Sequence, residues 1–91
     1  MAIAVHFEFP DQSIKEYDQA FADTPELHKV PERWYHACYR IGDDGFGIFD
    51  VWESEESFRH FAGVLGPVLE KVGLPFVEPK INEVHNLVVE P

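Results

Sequence analysis

The run RWYHACYRIGDDGFGIFDVWES, residues 33–54, decides the fold. Arg33 to Ile41 reads as a strand rich in aromatic residues. At a period of two, Tyr35, Ala37, Tyr39 and Ile41 share one side, and Trp34, His36, Cys38 and Arg40 share the other. Gly42-Asp43-Asp44-Gly45 follows, and both residue types tolerate the positive φ of a tight hairpin turn. Phe46 to Glu53 is then a strand antiparallel to the first, with Phe49 and Val51 pointing one way and Ile48, Asp50 and Trp52 the other. Ser54 closes the run as a helix N-cap. Glu55 and Glu56 sit where the positive end of a helix dipole favours acid.

Downstream, Phe58, Phe61, Ala62, Leu65, Leu69 and Val72 keep helical phase. Pro67 falls inside that stripe and should clash with the carbonyl of Gly63, which predicts a kink or a second short helix. Gly63 and Gly66 flank it, a spacing that fits close packing or simple interruption of the helix. Gly73 suits the position just past a helix end, with Pro75 beyond it. Lys80 to Val89 reads as the last strand. Upstream, Ile3, Val5, Phe7 and Phe9 alternate with Ala4, His6 and Glu8 in a strand that Pro10 stops. Ser13-Ile14-Lys15-Glu16 is a capping box opening a helix from about residue 13 to 23, with Ile14, Tyr17 and Phe21 on its apolar stripe. Residues 24–31 carry two prolines and no clear period, so they read as a loop.

The order is β-α-β-β-α-β, with two helical crossovers and one hairpin. The solution consistent with right-handed crossovers is a ferredoxin-like, four-stranded antiparallel sheet with both helices on one face. Residues 1–91 read as one such domain. The pattern places Val5, Phe7, Phe9, Phe49 and Val51 under the helices. It leaves Ile48 and Trp52, with His6, Glu8, Asp50, Trp34, His36 and Cys38, on the bare face. Two tryptophans on an open sheet favour self-association, because burying a large side chain contributes about 1.5–3 kcal/mol. A homodimer is expected, packed bare face to bare face as a dimeric α/β barrel with a semi-polar interior.

Composition narrows the function. The chain carries 7 Lys+Arg against 17 Asp+Glu, a net charge of −10, and its basic residues are scattered. That argues against a nucleic-acid partner and against anionic membrane surfaces. No apolar run is long enough to span a bilayer, and the first residues lack a basic leader. A lone Cys38 forms no intramolecular disulfide, which fits the cytoplasm. Glycine-rich phosphate loops and the common hydrolase and zinc motifs are missing.

The run Asp50-Val51-Trp52-Glu53-Ser54-Glu55-Glu56-Ser57-Phe58-Arg59-His60-Phe61 resembles the strand-to-helix junction of the dimeric α/β-barrel proteins, specifically the antibiotic-biosynthesis-monooxygenase-like domains. The order of elements over the whole chain agrees. Gly66-Pro67, Gly73-Leu74-Pro75 and Glu83-Val84-His85-Asn86 look like a small bacterial branch of unassigned function. Physically, Trp52 anchors the strand end, Ser54 caps, and Phe58 and Phe61 dock the helix. The resemblance implies a cofactor-independent monooxygenase-like or isomerase-like enzyme acting on a small aromatic or polyketide-like molecule. It equally admits a non-catalytic ligand-binding or stress-related dimer, or a purely structural one. The haem-degrading members share Val51-Trp52-x-Ser54-x-x-x-Phe58, but here Phe61 stands where they carry Trp and the first strand has no Asn. No cofactor is expected, and no metal.

Candidate chemistry rests on histidine. His6, Asp50 and His85 fall on neighbouring strands in the expected sheet, with His36 nearby, and all four are candidates for a proton-transfer centre inside the barrel. A buried His–Asp pair is also the mark of a merely satisfied polar network. Trp34, Trp52, Tyr39 and Asn86 are the expected substrate-lining residues.

Overall fold

The computed structural model describes residues 1–75 and 77–89. Its elements are β1 (Ile3–Phe9), α1 (Ile14–Asp23), a 3-10 turn (Pro25–His28), β2 (Arg33–Ile41), β3 (Gly45–Trp52), α2 (Glu55–Lys71) and β4 (Lys80–Glu83). The four strands form one antiparallel sheet in the order β2-β3-β1-β4. This is the ferredoxin-like arrangement, with both helices on the same face.

Local chemistry explains the element ends. The Ser13 hydroxyl caps α1 by accepting from the Lys15 amide at 3.1 Å, not from Glu16 as a full capping box requires. The Glu16 amide bonds instead to the Ser13 carbonyl, and Glu16 Oε2 is buried without a partner. Ser54 caps α2 by accepting from the Ser57 amide at 3.1 Å. α2 continues as one helix through Pro67, so of the two expected outcomes the second short helix does not form. Gly63, whose carbonyl loses its partner, lies on the exposed side, where water can take the bond. Gly73 ends α2 at φ +86°, with its amide on Glu70 O and the Leu74 amide on Leu69 O. Those two bonds are the Schellman pattern, and Leu69 and Leu74 meet in the core as that motif favours.

Register sets the faces. Ile3, Val5, Phe7 and Phe9 of β1 pair with Trp52, Asp50, Ile48 and Phe46 of β3. Residues directly opposite share a face, so the even-numbered positions of β3 lie under the helices. This reverses the expected assignment. Phe49 and Val51 belong to the outer face, with Ala4, His6, Glu8, Tyr35, Ala37 and Tyr39, while Ile48, Asp50, Trp52, His36 and Cys38 face the helices. The reason is that β3 is apolar on both sides, so its own alternation carries no direction. Trp52 is fully buried against Phe58 and Phe61, with ring centroids 5.7 and 5.0 Å away, which bears out its anchoring role.

Trp34 departs from the alternation. Arg33 is opposite Trp52 and Tyr35 is opposite Val51, so Trp34 is the extra residue of a β-bulge and is 54% exposed. The bulge keeps both Arg33 and His36 on the helix side. β4 ends at Glu83, much shorter than the expected run to Val89. One further bond, from the Val84 amide to Ala2 O, extends its pairing with β1. Leu87, Val88 and Val89 then line a hollow over Tyr35, Ala37, Phe49 and Val51 on the outer face.

Candidate functional site

β2 and β3 bring His36 and Asp50 directly opposite each other beneath the helices. Asp50 is 4% exposed, and both its oxygens are engaged. His36 Nδ1 lies 2.6 Å from Oδ1, and Trp52 Nε1 donates to Oδ2 at 3.2 Å. Trp52 can reach because it sits two residues along the same strand, on the same face. From above, α1 drops Tyr17 onto the other side of the imidazole, with its hydroxyl 2.7 Å from His36 Nε2. Burial, reinforced by the Cys38 thiol and the Asp50 and Asp18 carboxylates and opposed by Arg33, pushes the Tyr17 phenol up to about 12. The phenol therefore keeps its proton and donates it to Nε2. That leaves Nδ1 as the protonated nitrogen donating to Asp50. Trp52, Asp50, His36 and Tyr17 form one connected relay.

The relay ends where two spaces meet. On the core side is a small, partly open cavity of about 40 Å³, walled by Phe7, Phe46, Ile48, Leu65 and Leu69 among others. At roughly 15 Å³ per water, that is room for a few waters only. On the solvent side is an open cleft of about 610 Å³ between α1, the 3-10 turn and β2, lined by Tyr17, Asp18, Phe21, His28, Arg33 and His36. Its volume is in the range of small-molecule sites, roughly 300–1,000 Å³.

Arg33 stands at the same junction. Its guanidinium is half-buried, donates to Leu27 O at 2.6 Å and lies 5.7 Å from the Phe61 ring centre. Burial lowers its pKa, and Asp50 and Tyr17 oppose that shift. It remains a cation beside the imidazole, since arginine starts so far above neutrality. Cys38, two residues beyond His36, has its thiol pushed up by burial, which makes it a poor nucleophile.

The other expected site residues lie elsewhere. His6 is on the outer face, so the sheet itself separates it from His36. Its Nε2 bonds to the Tyr39 hydroxyl, which in turn donates to Glu8 Oε2 at 3.1 Å. Burial and the bond to Glu8 raise the Tyr39 phenol. Tyr39 reaches across β3 because Gly47 beneath it has no Cβ; any side chain there would collide with the ring. His85 and Asn86 are exposed and past the end of β4. The expected meeting of His6, Asp50, His36 and His85 thus reduces to His36 with Asp50. Trp52 supports that pair from the core without lining the cavity, and Trp34 points to solvent at the bulge.

Tyr17, Phe21 and Arg33 were not singled out from the sequence. The available signal was a hydroxyl on the apolar stripe of α1, which has to find a partner once buried. Among the described residues, no group of three or more His, Cys, Asp or Glu side chains is placed to hold a metal ion, and no helix is long and apolar enough to cross a membrane.

No protein-family model matches the chain, and neither does any curated protein sequence. Solved structures do. SnoaB, a cofactor-independent oxygenase from Streptomyces nogalater, superposes with a TM-score of 0.71 at 18% identity over 98% of both chains. A putative antibiotic biosynthesis monooxygenase from Caulobacter crescentus gives 0.66 at 12% identity over 93% of this chain and 91% of that one. The monooxygenase of the ActVA-Orf6 gene of Streptomyces coelicolor, solved with nanaomycin D, gives 0.57 at 16% identity over 99% and 91%.

Proposed function

The chain has the fold of the antibiotic-biosynthesis-monooxygenase-like proteins, and from that premise we propose that it is a cofactor-independent enzyme of the same general chemistry. It binds a small aromatic molecule in the cleft beside His36 and removes a proton from an activated methylene or hydroxyl. The observation that carries this reading is the relay. An imidazole is held in one tautomer by a buried carboxylate, its other nitrogen accepts from the Tyr17 hydroxyl, and the imidazole, Tyr17 and Arg33 together line a cleft of ligand size. Asp50 positions His36 and stabilises the imidazolium that forms; Tyr17 passes the proton or yields its place to the substrate. Arg33 favours the anion left behind. That anion has two fates. Reprotonation at another carbon is an isomerisation. Reaction of an activated CH2 with dioxygen gives the ketone and one water, which balances without a further reductant.

The catalytic set proposed here is His36, Asp50, Tyr17 and Arg33. The site lies between helices and sheet within one subunit, and the barrel interior between two subunits is not needed for it. Two copies are nonetheless proposed to pair their outer faces, since Tyr35 is 46% and Phe49 38% exposed on that side. Light scattering at micromolar concentration checks this, and a strict monomer refutes it.

One observation favours the rival reading of a purely structural dimer: the core-side cavity, at about 40 Å³, is too small for an aromatic ring. The two separate in one experiment. Aromatic ketones and quinols are screened under air for oxygen uptake and for binding. A His36→Gln variant that still binds a turned-over compound but loses at least a hundredfold in kcat supports the enzyme. Binding without turnover by the native chain refutes the enzyme, and neither binding nor turnover supports the structural dimer.

A further inference from the structure

The cavity and the cleft share four wall residues, Tyr17, Phe21, Arg33 and His36. Three of them are fastened by polar bonds: His36 to Asp50 and Tyr17, Tyr17 to His36, and Arg33 to Leu27 O. Phe21 has no polar atom in its side chain. Its ring packs against other rings, with centroids 4.7 Å from Tyr17, 4.8 Å from His28 and 5.7 Å from His36. It is the one wall residue that can move without breaking a hydrogen bond. Moving it forfeits aromatic contacts that an incoming aromatic ring restores.

We propose that Phe21 is the gate and the specificity-determining residue of this site, and that its ring fills the place between His28 and His36 that a flat ring of the ligand takes. The proposal rests on the reading of His36 as the working base. The core-side space, at about 40 Å³, takes only waters; even benzene occupies engineered cavities of about 150 Å³. With Phe21 turned outward, the volume of its ring joins the cavity to the cleft and uncovers the face of the His36 ring on which Phe21 stacks. The matching ligand is planar and one ring wide where it passes His36 and Tyr17. Bulkier substituents stay in the open cleft by His28 and Asp18.

The test is access to His36, read without any substrate. The native protein is treated with diethyl pyrocarbonate, and carbethoxylation of each histidine is timed by peptide mass spectrometry. His60 and His85, both exposed, are internal references. In the native chain His36 should react at least tenfold more slowly than either. Phe21→Ala should speed His36 at least fivefold and leave the references unchanged. Tyr17→Phe frees Nε2 from its hydrogen bond but leaves the gate in place, so it should give much less than Phe21→Ala. If Phe21→Ala does not fold, Phe21→Leu carries the same comparison with an expected gain of about twofold. A native His36 as reactive as His60 overturns the proposal. So does a folded Phe21 variant with no acceleration, or a Tyr17→Phe that reproduces the full effect. Because the reagent scores access and not turnover, the gate can fail while His36 remains the base. Equally, catalysis by His36 can fail while the gate stands.

Discussion

Asp50→Asn and Asp50→Ala separate what the buried carboxylate does for stability from what it does for the imidazole. Asp50 accepts from His36 Nδ1 at 2.6 Å and from Trp52 Nε1 at 3.2 Å. Removing both acceptors with alanine strands two donors. An orphaned buried donor costs about 1–3 kcal/mol. Trp52 is fully buried and incurs the upper part of that range. The His36 side chain is 20% exposed, so water offsets part of its loss. The expected cost of Asp50→Ala is about 3–4 kcal/mol by urea denaturation, a large share of the roughly 5–10 kcal/mol such a domain has. Asparagine keeps one acceptor oxygen and shape, so Asp50→Asn should cost only about 1–2 kcal/mol. Its amide nitrogen, however, is a donor. With the oxygen turned to Trp52, the nitrogen faces His36 Nδ1, and the imidazole must flip tautomer: Nδ1 becomes the acceptor and Nε2–H donates to Tyr17. The Nε2 lone pair that accepts from Tyr17 is then gone, and activity should fall about a thousandfold or more. Nitrogen-15 NMR of the imidazole reads the tautomer directly, with no substrate. The reasoning is refuted if Asp50→Asn leaves Nδ1 protonated, or if Asp50→Ala costs under about 0.5 kcal/mol.

Three other outcomes are expected. The Tyr17 phenol, held near 12 against 10.0 in the unfolded chain, makes the unfolded state the first to lose its proton; stability contributed by Tyr17 is present below pH 10 and lost as pH rises towards 12, so alkaline denaturation should be shallower in Tyr17→Phe, and an unchanged pH profile would count against the burial of the phenol. Phe58→Ala, at a site 5% exposed against Trp52, should cost about 3–5 kcal/mol, measured by the same urea titration. Gly73→Ala forces a side chain into φ +86° and should cost about 1–2 kcal/mol without moving the NMR signals of His36, since the strain is confined to the end of α2.

The residues differ in how much of their role could be read in advance. Ser54, Gly73 and the hairpin glycines announce element ends through backbone chemistry that acts over a few residues. The docking of Phe58 and Phe61 on Trp52 follows from helical spacing. His36 opposite Asp50 also follows, because both lie on the polar-bearing side of a hairpin whose turn is legible. His6 and His85 could not be placed the same way. Whether they meet His36 depends on which face of β3 joins the apolar face of β1 and on where β4 ends, and neither is encoded in those strands alone. Tyr17 and Phe21 belong to a helix stripe that looks like ordinary core until α1 is set over β2.

Sequence by itself determined the order of elements, their caps and the hairpin, because those are governed by local dihedral preference and by hydrophobic period. Only the tertiary structure decided which side of β3 meets the helices, where the Trp34 bulge resets the alternation, and hence that His36 and Asp50 meet under the helices and not on the outer face. The physical reason is parity: a pleated strand turns every side chain over when its pairing shifts by one residue. In a strand apolar on both sides, only contacts distant in the chain choose between the two.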